Sequence, residues 1–500
     1  MQLTWLDQIN AWNPQLVREW RGRLKARSII AAIALSLIWQ LLLFLALLRA
    51  NFLTGDIRDE WRDIWRAMSW GFPYLLFSLG GYYIVSDITQ EEKRGTLNFV
   101  RLSPRPGWQI LLGKLLGVPI LPYIAVIAAI PFHLIAAIYG QVSPLLVLSF
   151  YIVLVVGCAF TYSLALLFGL VGSTAPNALN RQATTSVTFG ILAFFFLSPM
   201  FMTWNITVTW QGLSNIENFA RDLVVEVYWG FIAITANPLL SHGFTLINLL
   251  IATGLIWRIV LRRFRQPRST LMSKRQSYAT VAYAELLAIG FALNPEFGIP
   301  QSSVVIAEAI ALYTGTIVLI LIMMFATVPS RQALLDWSRY QSRGVMSWIW
   351  SDKSPMLLTL VINVGLASVL LIPWMFLSGI ITQNRIAALI SFVSVVMTLL
   401  IAGLFTQIVF AKRVRNPLTW AVGSLVIWLS VPAAIMSLLQ LLPDRIGVMA
   451  TFWTLFGYPV WHFDNPLALA FTLIGMVLQV LLIGMLALQL YQTLQQLHQS

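Results

Sequence analysis

Long apolar runs separated by short polar segments recur from one end of this chain to the other, and their spacing sets the first expectation for the fold. In the first half they lie at about 28–49, 70–88, 108–138, 144–172, 184–203 and 243–261, and in the second at about 303–328, 355–379, 386–411, 418–442 and 466–490. Each is long enough to cross roughly 30 Å of hydrocarbon as a helix. Helix is the default because lipid offers no partner to an open backbone N–H or C=O. A weaker run at 278–293 carries Glu285; counting it gives twelve spans in two six-span halves, and leaving it out gives eleven. The expected fold is an all-α polytopic membrane protein. Its parts are a cytoplasmic amphipathic segment at 1–27, a first membrane half at 28–262, a basic linker at 263–277, a second half at 278–490 and a cytoplasmic tail at 491–500.

Loop charges orient these spans. Arg18 to Arg27, the Lys93 to Lys114 region, Arg181 and the Arg258 to Arg275 tract fall on one side of six crossings, which the Lys/Arg excess of cytoplasmic loops makes the cytoplasm. With 278–293 counted, the loops holding Arg331, Arg339, Arg343 and Lys353, and then Lys412, Arg413 and Arg415, fall inside as well, so both termini are expected in the cytoplasm. Composition agrees: 58% of residues are hydrophobic and 10% charged, at a mean hydropathy of +0.79, against about a quarter charged in a soluble domain.

The net charge of +13 is explained by basic loops beside spans, so no nucleic acid is expected as a partner. The single cysteine, Cys158, excludes an intrachain disulfide and a cysteine-based zinc site. His133, His242, His462 and His498 are scattered without ligand spacing, so no metal is expected. Ser28 to Leu48 is too long for the apolar region of a signal peptide and follows a polar segment, so it reads as an uncleaved first span.

Four polar segments stand out. Leu16 to Ser28 places Arg18, Arg21, Arg23, Lys25 and Arg27 among Leu16, Val17, Trp20 and Leu24, a pattern suited to a helix lying on the cytoplasmic surface with Trp20 and the aliphatic residues among the headgroups. Asn51 to Arg66 is close to neutral and reads as a short external amphipathic helix. Trp204 to Ser241 reads as a re-entrant or interfacial helical pair, since Val224 to Ala236 is too short to cross.

The fourth, Ser86 to Leu116 (SDITQEEKRGTLNFVRLSPRPGWQILLGKLL), has four parts. The second span ends near Asp87 to Gln90, and Glu91, Glu92, Lys93 and Arg94 form a mixed-charge turn. Gly95 supplies a positive φ that re-aims the chain, and Thr96 is placed to cap a short helix carrying Leu97, Phe99, Val100 and Leu102. That helix is too short to persist in water and needs a surface to lie on. Ser103-Pro104-Arg105-Pro106 ends it, and Trp108 anchors the third span at the interface.

Glu91, Gly95, Thr96, Leu97, Leu102, Ser103, Pro104 and Ile110-Leu111-Leu112-Gly113-Lys114-Leu115, taken in order, resemble the loop of the ATP-binding-cassette (ABC) type-2 permease family. There a glutamate-rich turn leads through Gly-Thr into a coupling helix, a proline break and a new span. Asn98 stands where such permeases commonly carry a further glutamate, and their usual length is about six spans, so the second half is an addition or a diverged duplicate.

The resemblance implies an exporter subunit in a bacterial plasma membrane. Its coupling loop (Glu91, Glu92, Arg94, Gly95, Thr96, Leu97, Asn98, Phe99, Leu102, Pro104) would dock on a separate ABC ATPase, two copies per complex, with ATP and Mg on that partner. Whether the chain acts as a homodimer, with a second permease or as a fused pair stays open. The chain itself is expected to be no enzyme and to bind no cofactor: Gly107 to Lys114 has five residues between its glycines and ends Gly-Lys-Leu, whereas a phosphate-binding P-loop needs four and a Ser/Thr hydroxyl.

The competing reading is a secondary transporter without an ATPase, for which His133, Glu285 and Glu308 are the intramembrane ionisable candidates. Arg94-Gly95 and Arg343-Gly344, each followed by an amphipathic stretch and Ser-Pro, raise the expectation of a repeat between the halves.

Overall fold

The computed structural model of the chain describes residues 5–51, 57–172, 178–210, 226–267, 269–293, 303–340, 345–377, 385–441, 446–458 and 466–499. The chain is an all-α polytopic membrane protein divided into two compact units. The first is Met1–Val227 with Ala233–Pro267, and the second is Tyr228–Ile232 with Arg268–Ser500.

The first unit opens with α1 (Trp5–Trp12), α2 (Pro14–Arg23) and α3 (Ala26–Asn51). A continuous helical rod follows: α4 (Ile57–Pro73), a π-helical segment (Tyr74–Gly80) and α5 (Gly81–Lys93). The expected external amphipathic helix is therefore no separate element. Its apolar face, Ile64, Trp65, Met68 and Phe72, is buried in the core of the unit, and the rod runs from it straight into the second span.

Next come the short α6 (Thr96–Arg101), α7 (Gly107–Gly117), α8 (Ile120–Tyr139) and α9 (Pro144–Gly172). Pro119 breaks the expected third span between α7 and α8, since its ring removes a donor and crowds the preceding turn. α10 (Ala178–Leu192), a π segment (Ala193–Leu197), α11 (Ser198–Trp204) and a further π segment (Asn205–Thr209) make the fifth span, and α12 (Pro238–Arg265) the sixth.

Of the expected helical pair at 204–241, the described start is the helical end of the fifth span, while 226–237 form instead a small hairpin, β1 (Tyr228–Trp229) and β2 (Ile232–Ala233), followed by one 3₁₀ turn. Strand suits a segment this short and rich in aromatic and β-branched residues. Residues 211–225 lie outside the described residues.

In the first unit α3 packs on α8, α5 on α9 and α10, and α9 on α12. One continuous core results, with Trp65, Phe77, Phe150 and Tyr162 fully buried at its centre.

The second unit contains α13 (Lys274–Ala292), α14 (Ser303–Thr327), α15 (Arg331–Tyr340), the short α16 (Val345–Trp350), α17 (Leu357–Leu377), α18 (Arg385–Ala411), α19 (Pro417–Leu438), the short α20 (Met449–Leu455) and α21 (Pro466–Gln499). A Ser273–Gln276 capping box starts α13, so helix occupies both ends of the expected linker 263–277. Buried Lys274 donates from Nζ to the Trp348 carbonyl (2.8 Å), Ser354 Oγ (2.6 Å) and the Pro355 carbonyl (3.1 Å), fixing the turn after α16.

Within this unit the first and third long helices pack together (α13 on α17), as do the fourth and last (α18 on α21). The first unit pairs its spans in the same way. Gln479 of α21, fully buried, donates to Thr398 Oγ1 (2.9 Å) and to the Thr454 carbonyl (2.8 Å), tying α18 and α20 to α21.

Among the described residues nine helices are long and apolar enough to cross a membrane, and α14 with α15, bent by 66°, makes a tenth candidate. The two further segments read as spans in the sequence, 70–88 and 278–293, lie on the α4–α5 rod and on α13.

Candidate functional site

The helix α6 is held on one face and open on the other. Gly95 sits at φ +71°, where a side chain would be strained, and turns the chain from α5 into α6. It is also the residue that caps α6. Thr96, expected as the cap, is the first helical residue instead, and its hydroxyl donates back to the Glu91 carbonyl at 3.2 Å. Glu91, Glu92 and Lys93, expected as a turn, form the last turn of α5, so the second span runs about one helical turn further than the apolar pattern predicts.

Leu97 and Val100 of α6 are buried in the core, which contributes about 1.5–3 kcal/mol for each full apolar side chain. Six residues cannot form a stable helix alone, so this burial is what makes α6 a helix. Arg101 pairs with Glu92 at 3.2 Å, lies over the Phe264 ring at the end of α12, and donates to Asn98 Oδ1. The opposite face is apolar and bare: Phe99 is 80% and Leu102 85% exposed, with Lys93, Arg94, Pro104 and Arg105 exposed around them.

The last two turns of α5, which lead into α6, take part in a cluster of six charges drawn from three helices. Lys114 of α7, with no exposed surface, reaches Asp87 Oδ2 at 2.5 Å, Glu91 Oε2 at 2.9 Å and Glu19 Oε1 at 3.5 Å. Arg23 bridges Asp87 (2.5 Å) and Glu19 (3.1 Å), and Arg18 pairs with Glu91 (2.9 Å). Three cations meet three carboxylates, so the cluster is neutral. Burial, and then the neighbouring Asp87 carboxylate, push the Glu19 carboxyl above its usual range, while Lys114 and Arg23 pull the other way. The three carboxylates alone have the geometry of a cation site, but the Lys114 ammonium occupies its centre.

The cluster changes the reading of the N-terminal segment. Leu16 and Val17 of α2 are buried against protein, and Arg18 and Arg23 are ion-paired. Lipid headgroups are therefore not what this face of the helix meets. Arg21, Lys25 and Arg27 remain exposed and Trp20 is half-buried.

Two glycines allow the close approach of α2 to α7. A Cβ on Gly113 would stand 2.6 Å from Asn13 Oδ1, and one on Gly117 2.7 Å from Glu19 Cβ. Asn13 also donates to the Gln109 carbonyl at 2.7 Å and accepts from the Leu16 N–H, capping α2. Gly113→Val is accordingly expected to cost about 1–3 kcal/mol by overpacking. It should free α2, which limited proteolysis of the first 25 residues would report as faster cleavage than in the parent chain.

Sequence reasoning found Glu91 and the α6 residues but passed over Glu19, Asp87 and Lys114. The available signals were Glu19 with Arg23 and Asp87 with Glu91, each pair four residues apart and so on one helix face. The intramembrane candidates lie elsewhere. His133 is packed, with Nε2 3.0 Å from Ser69 Oγ and Nδ1 2.7 Å from the Tyr151 hydroxyl, its ring stacked on Trp65. Glu285 is buried on α13 and accepts from Thr316 at 3.1 Å. The side chain of Glu308, and Arg343-Gly344, lie outside the described residues.

No family model, no curated protein and no solved structure matches the chain.

Proposed function

We propose that this chain is the membrane-spanning permease of an ATP-driven exporter of the ABC type-2 class, working with a separate ATPase that docks on α6. The observation that carries the reading is the pair of large apolar side chains, Phe99 and Leu102, left bare on a helix whose other face is pinned. An aromatic and an aliphatic side chain within a polar, basic rim have the layout of a protein interface, apolar at the centre and polar at the edge. Their complement is an apolar groove with an acidic border.

Pinning supplies the mechanics. A push on α6 is delivered through Gly95 to α5, and through the charge cluster to α2 and α7, so helices of several spans move as a unit. Nucleotide binding in the partner would then bias the permease between two openings, because the partner contacts α6 differently in its two states. ATP and Mg belong to that partner, and the chain supplies no catalytic residue.

In the second half α16 has the same length as α6, follows an Arg-Gly pair in sequence and exposes Met346 and Trp350. We read it as a second docking helix, so that one chain serves two ATPases as a fused pair.

Co-expression with an ABC ATPase encoded beside the chain tests the reading. The expected result is a stable complex whose transport requires hydrolysable ATP. Transport by the chain alone, driven by a proton or sodium gradient, would establish the secondary-transporter reading instead. The same account places α6, α16 and both termini in the cytoplasm of the bacterial plasma membrane. A cysteine introduced at the exposed Arg339 should therefore resist a membrane-impermeant maleimide in intact cells and react after lysis; labelling in intact cells would reverse the orientation.

A further inference from the structure

A cavity of about 850 Å³ opens in the first unit between α3, the π segment and α5, α8, and the end of α10 with its π segment. That is within the size range of small-molecule sites, roughly 300–1,000 Å³. Among the described residues no Asp, Glu, Lys, Arg or His lines it; its walls are aliphatic and aromatic, with serine and tyrosine hydroxyls the main polar groups.

Three features identify the occupant. Its wall α3 is a candidate span that lies at the margin of the unit, with only 11% of its apolar window buried. The cavity therefore opens toward the bilayer. Along α3 the lining runs from Ser28 to Trp39, about 16 Å at 1.5 Å per residue, which is close to one leaflet of a hydrocarbon core about 30 Å thick. At the Ser28 end stand Lys25 and Arg27, both exposed; Arg18 and Arg23 nearby are consumed by the charge cluster.

We infer that this cavity binds an anionic membrane phospholipid, with an acyl chain inside it and the phosphate group held by Lys25 and Arg27. The site is independent of ATPase docking, and its test contains no nucleotide, so its failure and that of the permease reading are distinguishable.

The test is native mass spectrometry of the full chain in detergent, titrated with phosphatidylglycerol or phosphatidylcholine carrying identical acyl chains. Retention of phosphatidylglycerol is expected to be about thirtyfold greater, the scale of two basic side chains acting on an anionic headgroup. Lys25→Gln with Arg27→Gln should erase that preference while leaving phosphatidylcholine retention unchanged. Gly190→Leu should lower retention of both lipids. A Cβ at Gly190 meets its nearest neighbours at 3.6 Å, an ordinary contact, so the added side chain fills the cavity without forcing the helices apart. Ala31→Phe, on the exposed face of α3, is the second obstruction should Gly190→Leu reduce folded yield. Equal retention of both lipids by the parent chain would overturn the headgroup assignment. Undiminished retention by an obstructed variant that elutes and melts like the parent would overturn the cavity.

Discussion

Lys114→Met is expected to cost about 3–5 kcal/mol of stability, the usual consequence of removing one partner from a buried ion-pair cluster. A chain whose whole margin is on the order of 5–15 kcal/mol would lose a large part of it. Glu19, Asp87 and Glu91 would be left with carboxylate oxygens within 4.8 Å of one another and two arginines to balance three charges. A lower melting midpoint and a smaller monodisperse fraction in detergent are the measurements. Restoring neutrality should restore most of the loss. In Lys114→Met with Glu19→Gln, Arg18 keeps Glu91 and Arg23 keeps Asp87, and the double-mutant cycle should show strong coupling, since Lys114 and Glu19 touch. A Lys114→Met chain that melts like the parent would remove the cluster from any account of how α6 is held.

Replacing both Phe99 and Leu102 by aspartate is expected to abolish ATPase association while leaving the fold intact. Both side chains are largely exposed, so the unbound protein loses little, and surface changes of that kind usually stay within about 0.5 kcal/mol. In a complex they would be the buried anchors, each worth about 2 kcal/mol or more. Introduced carboxylates would add an unpaired buried charge opposite an acidic border. Binding should fall by more than a hundredfold, at roughly 1.4 kcal/mol per tenfold, with the melting midpoint unchanged. Asn98→Glu is a milder probe of the same surface.

The contrast between these two experiments reflects what a sequence can and cannot express. Spans such as α9 and α12 were legible because hydrocarbon demands some twenty apolar residues whatever surrounds them. The α6 loop was legible because glycine and proline fix backbone geometry locally, and the positive φ at Gly95 follows from that.

What faced lipid and what faced protein was not legible. α2 and the start of α4 are amphipathic in the way an interfacial helix is, yet Leu16, Val17, Trp65 and Met68 are buried in the protein core. Lys114 read as a basic residue at the start of a span, because its three carboxylate partners come from positions 19, 87 and 91. Asp87 and Glu91 share a face of α5, but nothing local joins them to Glu19 or Lys114; the packing of α2 on α7 across Gly113 and Gly117 brings Glu19 to Lys114. The hairpin at 228–233 was read as helix because its apolar residues are too few to set a period.

Docking of α6 on an ATPase is the central claim, and site-directed cross-linking tests it most directly. The native Cys158 is buried, so a cysteine placed at position 99 is the reactive one in the folded chain. Cross-linking of Phe99→Cys to a co-expressed ABC ATPase, with a yield that changes between the nucleotide-free and ATP-bound states, is the predicted result. No adduct from position 99 or 102 while both cysteines label freely with maleimide in the purified complex would contradict it.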